Sequence, residues 1–285
     1  MKEEKRNTSI LMVSFILTEI LALFFANNIM ISNVPVEQYQ PFGNENVIQA
    51  SENSGLLVVS VLVFTLFLIG IIKLGLGKIF RLIVTVFPIA VLFLYLPFQL
   101  EIVSSNILGL PSALTNFILT LAFLYALLVI ISIVEGIRTV TLSAFVLMTS
   151  LIGAFLAVSI SPPTLFVLPV AFALYDIYAV FRGPLKMLIK VKPVRPRKED
   201  MDLNKRFGLL LVRIGGFTIG AGDFTFYSML VAAAFLIKGL GAAFFVGVAI
   251  NFGIVLTLKL LEKVNRPLPG LPIPIALGIL TMLLV

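Results

Sequence analysis

Nine long apolar runs, broken by short polar turns, constrain this chain more than any other feature of its 285 residues. A helix rises about 1.5 Å per residue, so roughly 20 apolar residues cross about 30 Å of hydrocarbon. The runs lie near 9–33, 55–74, 79–98, 113–134, 139–159, 164–182, 214–237, 240–261 and 267–285. Strands of a membrane barrel read as shorter alternating segments, which these are not. The pattern predicts an all-α membrane protein of nine transmembrane helices, a single polytopic domain over 1–285. Composition agrees, with 60% hydrophobic and 12% charged residues, where a soluble domain carries about a quarter charged. The first run follows Lys2, Lys5 and Arg6, as in a secretory signal. It carries Glu19 midway and ends in Phe25-Ala26-Asn27-Asn28 rather than a small-x-small cleavage site, so it reads as a retained helix.

Charge placement orients the nine spans. Twenty of the 21 Lys and Arg fall on one side, and only Lys238 falls on the other. Basic loops stay in the cytoplasm. The N-terminus is therefore expected to be cytoplasmic, the C-terminus extracellular, and the chain a multi-pass protein of the cell membrane. The net charge of +7 reflects a membrane face rather than a nucleic-acid surface. The longest inner connection, 183–213, opens with an amphipathic stretch. Leu185, Leu188 and Ile189 share one face while Lys186 and Lys190 take another, as suits an anionic leaflet. The charged, Pro-rich segment after it reads as a loop.

The chain has no Cys and no His. That removes a cysteine nucleophile, a Ser-His relay and a zinc site built on those ligands. No cofactor and no metal are expected. Three of the 14 acidic residues lie inside apolar spans: Glu19, Asp176 and Asp223. An ionised carboxylate at that depth costs at least about 2.5–3.5 kcal/mol, so such residues are functional or else neutral and hydrogen-bonded. Asp176 sits six residues before Arg182, roughly 9 Å below the inner surface. Asp223 sits ten residues after Arg213, roughly 15 Å deep if helical, behind an irregular start containing Gly215, Gly216, Gly220 and Gly222. Consecutive antiparallel spans can bring the two together. Two carboxylates in contact share a proton. One then activates water while the other polarises a carbonyl, which is the chemistry of peptide hydrolysis by an aspartic pair. Glu19 has no acidic partner at its depth, and a structural hydrogen bond is expected for it.

The last run opens Arg266-Pro267-Leu268-Pro269-Gly270-Leu271-Pro272-Ile273-Pro274. Four prolines in eight residues oppose regular helix, so irregular backbone is expected there. At membrane depth, such backbone must be covered by protein or water. Its free amides and carbonyls suit pairing with an extended peptide.

Taken together, these residues resemble the presenilin and signal peptide peptidase family of intramembrane aspartyl proteases. Tyr175-Asp176 is similar to the family's Tyr-Asp motif, and Gly220-Ala221-Gly222-Asp223 to its Gly-x-Gly-Asp motif. Pro269-Gly270-Leu271-Pro272 resembles its Pro-Ala-Leu motif, with Gly in place of Ala. The resemblance implies a nine-helix presenilin-like fold and an endopeptidase that cuts transmembrane substrate helices. It implies catalytic roles for Asp176 and Asp223, and active-site support from Tyr175, Gly220, Ala221 and Gly222. Substrate docking would fall to Pro269, Gly270, Leu271 and Pro272. The inner N-terminus and the lack of a large appended domain resemble an archaeal presenilin homologue, which works in the lipid bilayer without an obligate partner subunit or nucleic acid. Two other readings stay open on the residues alone. Paired acids beside broken helices also build cation-coupled transporters, although here both acids lie past residue 170. A scaffold that binds membrane helices without cutting them is the third.

Overall fold

The computed structural model describes residues 2–32, 35–43, 46–181, 207–214, 217–264 and 268–285. The chain is mostly helical. Helices α1 (Lys2–Ile31), α2 (Val47–Lys73), α3 (Gly77–Glu101), α4 (Ser112–Glu135), α5 (Arg138–Ser159) and α6 (Pro162–Phe181) come first. A π-helical turn, Ile102–Ile107, extends α3. Two short strands, β1 (Leu211–Ile214) and β2 (Phe217–Gly220), precede α7 (Ala221–Lys238), α8 (Leu240–Val264) and α9 (Pro272–Leu284). Eight of these helices, α1 to α8, are long and apolar enough to cross a membrane. The ninth is equally apolar but has 13 residues, about 20 Å of helix.

Local chemistry sets several boundaries. Asn46 caps α2 by accepting the Gln49 amide at 2.9 Å. Gly136, with φ +76, ends α4 in the left-handed conformation that other residues avoid. Pro162 opens α6, where its missing N–H costs nothing.

The core forms where α5 and α7 meet, with α1 packed on both and α8 on α7 and α9. Small residues make this possible. Ala232, Ala233 and Ala234 of α7 are fully buried. A Cβ at Gly153 of α5 would press on Ser228 Oγ and lie 3.1 Å from the Thr225 carbonyl and the Met229 amide. A Cβ at Gly253 of α8 would lie 2.6 Å from Cα of Pro274 on α9. Without water between helices, close backbone contact supplies the packing energy. Helix α2 lies outside this core, against α6, with most of its surface bare.

Two expectations need correction. The all-α reading, with a seventh span from 214, misses a hairpin. β1 and β2 pair antiparallel, with Leu211 opposite Gly220 and Ile214 opposite Phe217, and helix begins only at Ala221. Val212, Ile214, Thr218 and Ile219 are β-branched and flank Gly215-Gly216, so local preference favours strands. The Ala221 amide then bonds the Leu210 carbonyl at 2.8 Å, fastening the hairpin to the start of α7. The second correction concerns the prolines. Pro272 and Pro274 stand in the first turn of α9. Amides in a first turn have no intrahelical partner, so proline loses nothing there. In the described part of this run, irregular backbone ahead of the helix is confined to 268–271. Residues 183–206 of the expected inner segment, with Arg266 and Pro267, lie outside the described residues.

Candidate active site

Asp223 occupies the first turn of α7. The next residue, Phe224, is fully buried. Its ring stacks on Phe15 of α1, with centroids 3.9 Å apart, and meets Phe145 of α5 edge-on at 4.9 Å. Asp223 is thus mounted on the best-packed part of the molecule. Asp176 lies near the end of α6, the helix after Pro169. Tyr175 beside it is half-buried and packs against the core. One ring contact joins the two helices near the aspartates: Phe172 lies 4.4 Å from Phe226.

The segment before α9 connects the acids. The Leu271 amide donates to Asp176 Oδ2 at 3.1 Å. Gly270 lies against the other acid, since a Cβ there would come within 3.1 Å of both Asp223 carboxylate oxygens. Gly270 and Leu271 are consecutive, with Cα atoms about 3.8 Å apart. Both carboxylates therefore converge on one short stretch of backbone. That stretch is itself tied down, because the Tyr227 hydroxyl donates to the Gly270 carbonyl at 2.8 Å. Two polar groups of this irregular backbone, the Leu271 amide and the Gly270 carbonyl, are thus occupied by side chains. Glycine at 270, where the resembling motif has alanine, has a local reason: it lets the Asp223 carboxylate come close.

The structure brings together Asp176, Asp223, Gly270 and Leu271. Pro269 and Pro272 flank them in sequence, and Pro272 is the first residue of α9. Gly220 is the N-cap of α7, in extended conformation with φ −81, and Ala221 begins the helix. Gly222 is exposed, and a Cβ there would meet nothing within 4 Å. Neither glycine of that motif is required by a positive φ or by a crowding neighbour in this state. Tyr227 is the residue that the sequence reading passed over. It stands four after Asp223, on the same helical face, and that spacing was its only signal. No group of three or more His, Cys, Asp or Glu side chains comes together as a metal site among the described residues. A cavity of about 1040 Å³ opens elsewhere, between segment 35–41, Tyr95 and Phe155, and holds neither aspartate.

This is a helical membrane fold with two aspartates converging on the segment before its last helix. Comparison with known proteins connects it to the presenilins. Residues 194–285 match the family model described as Presenilin. Over 124 residues the chain is 38% identical to Presenilin-B of Dictyostelium discoideum, a match covering 41% of this chain and 24% of that protein. Over 83 residues it is 39% identical to a presenilin-like protein of Arabidopsis thaliana, covering 29% of this chain and 18% of the other. The chain thus matches a quarter or less of the length of these relatives. Solved structures of a presenilin family intramembrane aspartate protease superpose with TM-scores of 0.62 and 0.61 in two crystal forms. Identity there is 20% and 17%, and each comparison covers 96% of this chain, with 96% and 94% of those chains. The fold is that of these structures, and the chain resembles the presenilin family along its C-terminal third.

Proposed function

We propose that this chain is an intramembrane aspartyl endopeptidase that hydrolyses peptide bonds in transmembrane substrate helices. The observation that carries the reading is the convergence of Asp176 and Asp223 on Gly270-Leu271. The two carboxylates hold one proton between them. The ionised member takes a proton from water, and the water oxygen attacks the scissile carbonyl carbon. The protonated member donates to the carbonyl oxygen as it gains charge. Collapse of the tetrahedral species breaks the C–N bond, and the proton taken from water passes to the leaving amine. Every step uses carboxylates and water, which suits a chain without Cys or His.

A helical substrate hides its peptide bonds, because each carbonyl is already bonded four residues along. It must unwind, and each amide exposed to lipid then costs several kcal/mol. We assign the replacement contacts to Gly220-Ala221-Gly222 on one side and Pro269-Gly270-Leu271-Pro272 on the other, with the substrate docked as an extended strand. The open space beside Gly222 supports this: the glycine has no reason within the chain, and an incoming backbone supplies one. We take the nine-span topology as the working arrangement, with the N-terminus cytoplasmic and the C-terminus outside, in the cell membrane. Residues 268–270 add non-helical reach to the short α9, at most about 3.3–3.6 Å each. The protein then acts without a partner subunit.

The test is to incubate the purified full chain, in lipid, with a labelled single-span peptide. Cleavage that disappears in both Asp176→Asn and Asp223→Asn supports the reading. Intact peptide, together with cation flux into vesicles that needs the same acids, replaces it with a transporter.

A further inference from the structure

The third intramembrane acid has a partner that is not acidic. Glu19 of α1 is 5% exposed. Its Oε2 accepts from Asn251 Nδ2 of α8 at 2.7 Å. The other amide hydrogen of Asn251 goes to the Gly247 carbonyl at 2.9 Å. That second bond fixes the orientation of the amide, since turning it over would set two oxygens against each other. Of the six buried side-chain polar atoms without a partner among the described residues, two belong to this pair: Glu19 Oε1 and Asn251 Oδ1. Both are acceptors if Glu19 is ionised, and stranding two buried acceptors is costly. A single proton on Glu19 changes the count. The carboxylic acid then offers a donor, which Asn251 Oδ1 lacks, beside the acceptor that Nδ2 already uses.

We propose that Glu19 is held as a neutral carboxylic acid in a two-bond pair with the Asn251 amide, and that this pair positions the aspartates. Each partner belongs to a different half of the site's support. On α1, Phe15 stands one turn before Glu19 and packs on Phe224 and Tyr227, with centroids 3.9 and 5.5 Å away. Phe224 follows Asp223, and Tyr227 holds the Gly270 carbonyl. On α8, Gly253 stands two residues past Asn251 and lies against Pro274, just beyond Gly270-Leu271. Gly247 borders the acid: a Cβ there would stand in ordinary contact, 3.4 Å from Glu19 Oε2. The pair thus ties the helix that backs Asp223 to the helix that seats the segment touching Asp176. Val231 of α7 faces the same spot, and Tyr227 is the titratable neighbour on that helix. The Tyr227 hydroxyl gives its hydrogen to Gly270, and the acceptor left unpartnered beside Glu19 is Asn251 Oδ1.

Infrared spectroscopy of the full chain in lipid reads the proton directly. The Asp176→Asn/Asp223→Asn background removes the protonated carboxyl of the aspartate pair. A protonated-acid carbonyl band is expected there, lost in Glu19→Gln and shifted in Asn251→Leu. If Glu19→Gln removes only carboxylate bands, Glu19 is ionised and the pair is wrong. A sodium-dependent rise in thermal stability that Glu19→Gln abolishes puts a cation in place of the proton, and also overturns it. The infrared readout does not depend on proteolysis, whereas the second readout rests on the function proposed above. In cleavage assays Glu19→Gln, which keeps a neutral donor and acceptor, retains most of the rate. Glu19→Leu and Asn251→Leu lower kcat on the order of tenfold, the scale of stranding one buried hydrogen-bonding group, with KM unchanged. Equal losses for Gln and Leu at position 19 defeat the positioning role.

Discussion

The two helices that carry the aspartates are built differently. α7 is enclosed by α1, α5 and α8, and its middle turns are buried all round, from Tyr227 to Ala234. α6 has α2 and α9 for neighbours and touches α7 lightly. Much of its outer face is bare, including Leu174 and Tyr178, which flank the Tyr175-Asp176 pair. One acid is therefore fixed by the core. The other is held in register by a backbone amide from the segment before α9. Catalysis by a carboxylate pair needs both acids at hydrogen-bond reach of one water and one carbonyl. The contrast teaches that Asp176 is held toward Asp223 by few contacts, chiefly the Leu271 amide and the Phe172–Phe226 ring contact.

If both acids act as a unit, the unequal packing does not show in the chemistry. Asp176→Asn and Asp223→Asn should each lower cleavage by about 10²–10⁴-fold or more, measured as product formed per enzyme. A surviving rate in one of them would break the equivalence. The pH–rate profile should be bell-shaped. It falls on the acid side as both carboxylates become protonated and on the alkaline side as both ionise, with the two limbs belonging to the pair. A rate flat through the range where carboxylates titrate removes the shared proton from the account.

Packing should show in stability instead. Gly153→Val forces a side chain between α5 and α7, where backbone atoms already stand 3.1 Å from the Cβ position. It should destabilise by about 1–3 kcal/mol or more, read by thermal unfolding in lipid or detergent. Leu174→Ala, on the bare face of α6, should stay within about 0.5 kcal/mol. Equal losses would erase the distinction between the helices. Tyr227→Phe removes the bond to the Gly270 carbonyl, about 0.5–1.5 kcal/mol, and should slow turnover severalfold at little cost to folding. Gly222→Ala should change stability least, within about 0.5 kcal/mol, because its Cβ meets open space. It should still slow cleavage if the substrate backbone passes there. Unchanged cleavage would move the docking surface elsewhere.

Much of the site could be read from residue type alone. Carboxylates in apolar runs are costly enough to stand out, which singled out Asp176, Asp223 and Glu19. The prolines marked the break before α9 for a similar reason, since few residues oppose helix so strongly. What escaped depended on geometry between distant residues. The 211–220 hairpin falls across the boundary between the inner connection, read to 213, and the apolar span read from 214, because strand-forming residues are apolar too and the period of a four-residue strand is too short to register. Tyr227 is one of several aromatics in its span with nothing in the sequence but its spacing from Asp223 to set it apart, and only the fold brings its hydroxyl to Gly270, 43 residues on. Glu19 had no acidic counterpart to find, since its partner is an amide 232 residues away.

The bare face of α6 has a further consequence. Val170, Leu174, Ile177, Tyr178 and Phe181 are all exposed on the helix that carries Asp176, so in a bilayer this face of the helix meets acyl chains. A helix mismatched to its membrane tilts, at a cost of fractions of a kcal/mol per Å. Tilting α6 moves Asp176 with respect to an Asp223 that the core holds still. Membrane thickness then acts on the gap between the two acids much as a reagent would, and turnover is expected to have an optimum in lipid chain length that unfolding temperature does not share.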